Sequence, residues 1–167
     1  MDAEQNQPVS SAEQVEPPRG ADPLTLDDKT RLKLPTAFQR YLTGLKETQV
    51  FITTIDLRTA RIYPLSVWKR NEEILERYRN NPQARQNVQF MAQHYGADSD
   101  VDPSGRVVLS PQLRERLGFQ PKGKVWLVYS NKAFTLYTDA EYQKQLQLRE
   151  ENLLRDVEVI QRETDFV

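Results

Sequence analysis

The chain repeats itself. Sliding the sequence by 75 residues lays Asp27-Asp28-Lys29-Thr30-Arg31-Leu32-Lys33-Leu34 on Asp102-Pro103-Ser104-Gly105-Arg106-Val107-Val108-Leu109. The same shift brings Phe38 onto Leu113, Leu42 onto Leu117, and Val50-Phe51-Ile52 onto Val125-Trp126-Leu127. One deletion in the next connection reduces the shift to 74, so that Ile62-Tyr63 falls on Leu136-Tyr137 and Trp68 on Tyr142. An ordered match over roughly 45 residues, with apolar positions kept apolar, constrains the fold more than any single motif. Roughly 45 residues bury too little surface to stand alone. The two copies are therefore expected to pair with each other, as a pseudo-symmetric dimer within one chain.

Local patterning fills in each copy. Leu24, Leu26, Leu32 and Leu34 surround a polar cluster at 27–30, which reads as strand, turn, strand. Residues 36–43 read as a short helix with Phe38, Tyr41 and Leu42 inward, stopped at Gly44. The β-rich run 50–55 and Arg61-Ile62-Tyr63 read as a hairpin. Two helices follow. One covers about 66–79 with Val67, Ile74, Leu75 and Tyr78 on its inner face. The other opens at Asn81-Pro82, a cap residue before a first-turn proline, and sets Val88, Met91, Ala92 and Tyr95 on one side. Thr138-Asp139-Ala140-Glu141 is a capping-box pattern that starts a helix running to about Glu163. Leu146, Leu153 and Ile160 stand seven apart with Val157 between them, spacing that suits a short coiled-coil seam or a face packed on the protein's own helices.

The fold class expected is mainly β with helices (α+β). Two pseudo-symmetric repeats at 23–66 and 97–142 are joined by a helical pair at 67–96 and followed by a helical extension at 143–167. Residues 1–22, rich in Gln, Pro, Glu and Ser, are expected to be a disordered tail, because they offer too little apolar surface to offset chain entropy.

Composition narrows the chemistry. The 167 residues include no cysteine, which excludes a disulfide framework, a thiolate zinc site and a cysteine nucleophile. The one histidine, His94, excludes a multi-His metal site and argues against a Ser-His-Asp triad. There is no phosphate-cradling glycine loop and no nucleophile–base pair, so no enzyme, catalytic residue, metal, cofactor or small-molecule substrate is expected. No apolar run nears the roughly 18 residues of a membrane span, and the acidic N-terminus lacks the apolar core of a secretory signal. A soluble, intracellular protein is expected. The net charge of -1 hides an asymmetry. Residues 1–22 hold five acids and one base, and 143–167 hold six acids and four bases, leaving the body 23–142 with eighteen bases against thirteen acids. Such a body suits either a polyanion or an ordinary solvated surface.

The duplicated Asp-x-x-x-Arg carries the most specific chemistry. Asp27 and Asp102 open a turn, where a carboxylate accepts backbone N–H bonds and fixes the loop. Gly105, or Thr30 in its place, precedes the Arg. Arg31 and Arg106 then either staple the turn through the Asp or project a guanidinium fork that suits phosphate or the O6/N7 edge of guanine. Two equivalent Arg side chains on units related by pseudo-symmetry suit successive grooves of a duplex.

These residues carry a family resemblance. Arg19-Gly20, Leu26 to Pro35 with Asp27 and Arg31, Phe38-Gln39-Arg40, Tyr63-Pro64-Leu65 and Trp68 fit a first family repeat. Gly96-Ala97, Asp102-x-x-Gly105-Arg106-Val107-Val108-Leu109 and Leu113-Arg114-Glu115 fit a second. Over about 19–142 the chain resembles the MraZ family, bacterial transcriptional regulators with two AbrB-type (SpoVT-AbrB) DNA-binding domains in tandem. The resemblance implies swapped-hairpin-like β-barrel repeats and a ring-like homo-oligomer. It implies cytoplasmic, nucleoid-associated binding to double-stranded DNA through Arg31, Arg106 and Lys29, with Asp27, Asp102 and Gly105 shaping the loops. It also implies regulation, often repression, of the division and cell-wall gene cluster through direct repeats. Thr30 stands where the family usually has Gly, so the first turn must avoid positive φ or bear strain. Pro103 stiffens the second loop and removes a donor.

Two other functions fit parts of the sequence: an oligomeric protein scaffold that has lost DNA binding, and an AbrB-type antitoxin with the C-terminal segment as its toxin-binding tail. Trp68 and Trp126 are expected in the core rather than as base-stacking platforms. His94 is expected at the surface or capping a helix, and Arg77, Arg79 and Arg85 on a solvated face.

Overall fold

The computed structural model describes residues 15–167; residues 1–14, most of the tail expected to be disordered, lie outside the described residues. The elements run β1 (Ala21–Thr25), β2 (Arg31–Lys33), α1 (Thr36–Gly44), β3 (Gln49–Thr53), β4 (Ala60–Pro64), α2 (Leu65–Arg77), α3 (Pro82–Tyr95), β5 (Ala97–Asp100), β6 (Arg106–Val108), α4 (Pro111–Leu117), β7 (Lys124–Ser130), β8 (Ala133–Thr138), α5 (Asp139–Glu150) and α6 (Leu153–Glu163). The order β-β-α-β-β-α-α occurs twice, so the duplication takes in both helical pairs. Ala21 and Asp22, assigned to the tail by composition, belong to the first strand.

The two halves are interleaved. Six strands form one antiparallel sheet in the order β1-β7-β8-β4-β3-β5, and β2 and β6 form a separate two-stranded ribbon. The expected hairpin is present as β3–β4, pairing Ile52 with Ile62. The strands at 21–25 and 31–33 do not pair with each other. β1 pairs with β7 and β2 with β6, because each copy lends its apolar strands to a shared core.

The register obeys the repeat. The shift of 75 maps the partners Asp22 and Leu127 onto positions 97 and 52, and Ala97 and Ile52 are partners. Leu32 lies opposite its own counterpart Val107, and Arg61 opposite its counterpart Thr135. A pseudo-two-fold axis therefore passes through the ribbon at one pole and through the β4–β8 pair at the other.

Leu32 and Val107 sink from the ribbon into one core with Leu34, Phe38, Ile52, Ile62, Leu109, Leu127, Phe134 and Leu136, all essentially buried. The arrangement is α+β and barrel-like, with the ribbon closing over the sheet as a separate ladder. Two aromatic stacks flank the core with the ring types exchanged between copies. Phe51 stacks on Trp68 at 4.4 Å, and Trp126 stacks on Tyr142 at 4.3 Å.

The helices depart from the amphipathic expectation at their far ends. In α2, Trp68 is buried while Ile74 and, at the C-cap, Tyr78 are exposed, because only the first two turns lie on the sheet. Asn81 caps α3 as its sequence suggests, accepting the Ala84 N–H at 3.0 Å. On α3, Ala92 is buried and its carbonyl accepts the Thr53 hydroxyl at 2.7 Å, while Val88 is exposed. Thr138 caps α5 by accepting the Glu141 N–H. The C-terminal helix expected as one piece is broken at 151–152, after Glu150 and Glu151 set two acids against the negative end of the α5 dipole.

Candidate nucleic-acid interface

Two loops, β1–β2 and β5–β6, are built alike. Asp27 Oδ1 accepts the N–H groups of Lys29 (2.9 Å) and Arg31 (2.7 Å), and its Oδ2 accepts Arg31 Nε at 2.7 Å. Asp102 repeats this with Ser104 N, Arg106 N and Arg106 Nε, each at 2.9 Å. The backbone matches too: Thr30 N donates to Asp27 O and Gly105 N to Asp102 O. Each carboxylate thus takes two main-chain donors and one guanidinium nitrogen, and the Asp-x-x-x-Arg spacing sets a loop just long enough to do so.

These bonds also set the acidity. Partial burial on its own would raise the Asp27 carboxyl, but the Arg31 N–H, the Arg31 guanidinium and the Lys29 N–H outweigh it and hold the group below the usual carboxylate range. For Asp102 the Arg106 N–H is the leading cause; with the Arg106 guanidinium and the Ser104 N–H it overrides the upward pull of desolvation, so this carboxyl too is held below the usual range.

The staple and the projecting fork coexist. Asp holds only Nε of each Arg, and among the described residues the terminal guanidinium nitrogens of Arg31 and Arg106 make no protein hydrogen bond. Both side chains stay partly exposed, at 27% for Arg31 and 34% for Arg106. The ribbon register aims them together. Arg31 lies opposite Val108 and Lys33 opposite Arg106, while Leu32 and Val107 face the core. Arg31, Lys33 and Arg106 therefore share the outer face at the pole of the pseudo-axis. Arg31 and Arg106 are diagonal neighbours, roughly 7–8 Å apart by strand geometry.

The loops differ at the residue before the Arg. Gly105 has φ +79°, and a Cβ there would lie 2.2 Å from the Gln39 side chain, whose Nε2 donates to Leu34 O. Thr30 has φ 58° and is buried, so the first loop takes the strained conformation rather than avoiding it. Lys29 and Pro103 are exposed at the loop tips. Lys33 and Gln39 escaped the motif reading. The alternation of Arg31 and Lys33 with Leu32 and Leu34 carries the signal for Lys33; Gln39 reaches the loop only through tertiary packing.

Other singled-out residues lie elsewhere. Trp68 is buried; Trp126 is half-buried, with Nε1 donating to Asp139 at 2.9 Å. His94 is exposed, edge-on to Tyr95, and Arg77 and Arg79 are exposed. Among the described residues no helix is long and apolar enough to cross a membrane, and no group of acids or histidines is placed to hold a metal ion.

The chain is 34% identical over 131 residues to the transcriptional regulator MraZ of Psychromonas ingrahamii, covering 77% of this chain and 84% of that protein. This chain belongs to the MraZ family. A second MraZ, from Mannheimia succiniciproducens, is 30% identical over 131 residues with the same coverage. The MraZ of Acidobacterium capsulatum is 38% identical over 97 residues, 58% of this chain and 66% of that protein. No protein-family model matches the chain.

Proposed function

We propose that this chain is a DNA-binding transcriptional regulator that reads duplex DNA with the paired loops. The observation that carries the reading is the convergence of Arg31, Lys33 and Arg106 on one exposed ribbon face, with the two arginines stapled by identical Asp brackets. Pinning Nε to Asp fixes each guanidinium before DNA arrives and leaves its outer nitrogens for phosphate or guanine. Lys29 and Lys33 add phosphate contacts, so affinity falls with salt by about 0.9 in log–log slope per phosphate neutralised. The family membership supports a role in transcription, with repression of the division and cell-wall gene cluster as the specific reading.

One repeat pair offers a small contact surface. A ring-like oligomer, binding direct repeats, multiplies weak contacts by linking many ribbons. The domain division follows the duplication, as two AbrB-like repeats joined and followed by helical pairs.

The test is a gel shift on DNA from upstream of the chain's own gene, at two salt concentrations. Arg31→Ala with Arg106→Ala should abolish binding while leaving the solution mass unchanged. Arg31→Lys with Arg106→Lys should keep a salt-dependent remnant, since the charge survives and the fork does not. Undiminished binding by the double Ala variant overturns the assignment.

A further inference from the structure

A polar cleft of about 300 Å³ lies at the β4–β8 pole, opposite the ribbon. Ala60, Ile62, Phe134 and Leu136 fill the core, so strand alternation turns Arg61, Thr135 and Tyr137 to the outer face. The helix α5 presents Glu141, Gln145 and Arg149 to that face, four residues apart and therefore in one stripe. The β3–β4 connection closes the third side with Asp56 and Arg58. Residues 54–59 make that connection, whereas Asn131 and Lys132 alone join β7 to β8. The cleft is thus built where the duplication departs from itself.

The charges in the cleft are unevenly committed. Asp56 accepts the N–H groups of Arg58 and Thr59 at 2.8 Å and the Thr59 hydroxyl at 2.9 Å. Burial alone would raise this carboxyl, but those bonds and the Thr54 hydroxyl hold it below the usual carboxylate range. Glu141 accepts Gln145 Nε2 at 2.9 Å, and Gln145 Oε1 accepts Arg149 Nη2 at 3.3 Å, a relay that fixes Arg149 on the cleft. The guanidinium groups are not so taken. Among the described residues none of Arg58, Arg61 and Arg149 is ion-paired, and Arg61 Nε is buried with no hydrogen-bond partner. A buried charged donor without an acceptor is costly, and its position needs a reason. Burial pushes the Tyr137 hydroxyl up against the pull of Arg61 and Arg149, so it stays a neutral donor beside them.

We propose that this cleft binds the phosphoryl group of a small phosphorylated molecule. Arg58, Arg61 and Arg149 supply guanidinium forks from three sides and Tyr137 a phenolic O–H, against two carboxylates already held by their own donors. A phosphoryl group offers such a set three terminal oxygens and close to two charges. A carboxylate offers two oxygens and one charge, which a single Arg satisfies with both prongs. The volume falls at the small end of metabolite pockets, with room beyond the phosphoryl group for a short carbon skeleton. Bound there, the group bridges Arg58 and Arg61 of the first repeat to Tyr137 and Arg149, which follow from the second. Cleft and ribbon lie at opposite poles, so phosphate binding and DNA binding can fail separately.

The experiment is isothermal titration and thermal melting of the full chain with inorganic phosphate, and with ribose 5-phosphate against ribose, at constant ionic strength. Phosphate and ribose 5-phosphate should bind saturably, one per chain, and raise Tm; ribose and added chloride should do neither. Arg61→Gln should weaken phosphate binding by about tenfold or more. Arg58→Gln/Arg149→Gln should do the same, and because both positions are exposed, circular dichroism should show the fold intact. Arg61→Lys should recover part of the loss, since the charge returns without the fork. Arg31→Ala/Arg106→Ala should bind phosphate as the wild type does. No saturable binding by the wild type, undiminished binding by Arg58→Gln/Arg149→Gln, or loss of phosphate binding in Arg31→Ala/Arg106→Ala overturns the proposal. A failed gel shift with phosphate binding intact would instead count against the proposed function alone.

Discussion

Gly105→Ala probes the loop that aims Arg106. Gly105 sits at φ +79°, and an added Cβ would lie 2.2 Å from Cδ of Gln39. Left-handed backbone costs an L residue ~1–2 kcal/mol, and pushing aside the flexible end of Gln39, with loss of its hydrogen bond to Leu34 O, costs ~0.5–1.5 kcal/mol. Lower freedom of the unfolded chain returns ~0.4–1 kcal/mol. The net loss is about 2 kcal/mol, a fall in Tm of roughly 4–8 °C for a chain of this size. In a Gln39→Ala background the obstructing side chain is gone, and the loss should shrink to about 1 kcal/mol of backbone strain. Urea denaturation of the four proteins in this cycle gives the coupling directly. The pseudo-equivalent change, Thr30→Gly, relieves strain at φ 58° but gives up a buried methyl and stiffness, so it should shift stability by less than about 1 kcal/mol. Equal losses from Gly105→Ala in both backgrounds, or a Thr30→Gly loss as large, would refute this account of the turn.

Lys33→Ala should lower the salt slope of DNA binding by about 0.9 and weaken all sequences alike; an unchanged slope would remove Lys33 from the interface. Asp27 and Asp102 have depressed folded-state pKa values, so their stabilisation is complete above the unfolded value of ~3.9 and is lost as pH falls through the lower folded values. Carboxyl-carbon NMR titration should place both midpoints below that of a free aspartate, and ordinary midpoints would contradict the bracket. Trp68→Ala should cost ~3–5 kcal/mol by emptying the stack on Phe51. Trp68→Phe should cost much less, because among the described residues the buried indole N–H has no partner to lose. Calorimetry showing equal costs would contradict the stacking reading.

The duplication made the element order and the two Asp–Arg loops legible before any coordinates, because turn chemistry is local. Asp at a turn start, Gly or Thr before Arg, and alternating leucines all act within a few residues. Which strands pair was not legible. Leu24 and Leu32 read equally well as neighbours in a hairpin, and only the shared core, reached when Leu32 meets Val107, separates them. The buried helix faces are shorter than their periodicity implies for a related reason. Periodicity marks a side as apolar, as at Ile74, Val88 and Leu153, but does not say how far along the helix a partner extends. The break after Glu150 turns on end charge and a single Asn, too weak a signal to separate from a continuous helix.

The crossed strand order has a consequence for synthesis. The first strand to leave the ribosome, Ala21–Thr25, finds its partner only when Lys124–Ser130 has been made. At translation rates of ~5–20 residues per second, that is a wait on the order of 5–20 s. During that interval the nascent first half exposes the leucines meant for its twin, and it can satisfy them early only by borrowing a half from a neighbouring polypeptide. Polysomes carrying this message are thus places where two growing chains can entangle, a hazard the intramolecular duplication lessens by keeping the right partner on the same thread.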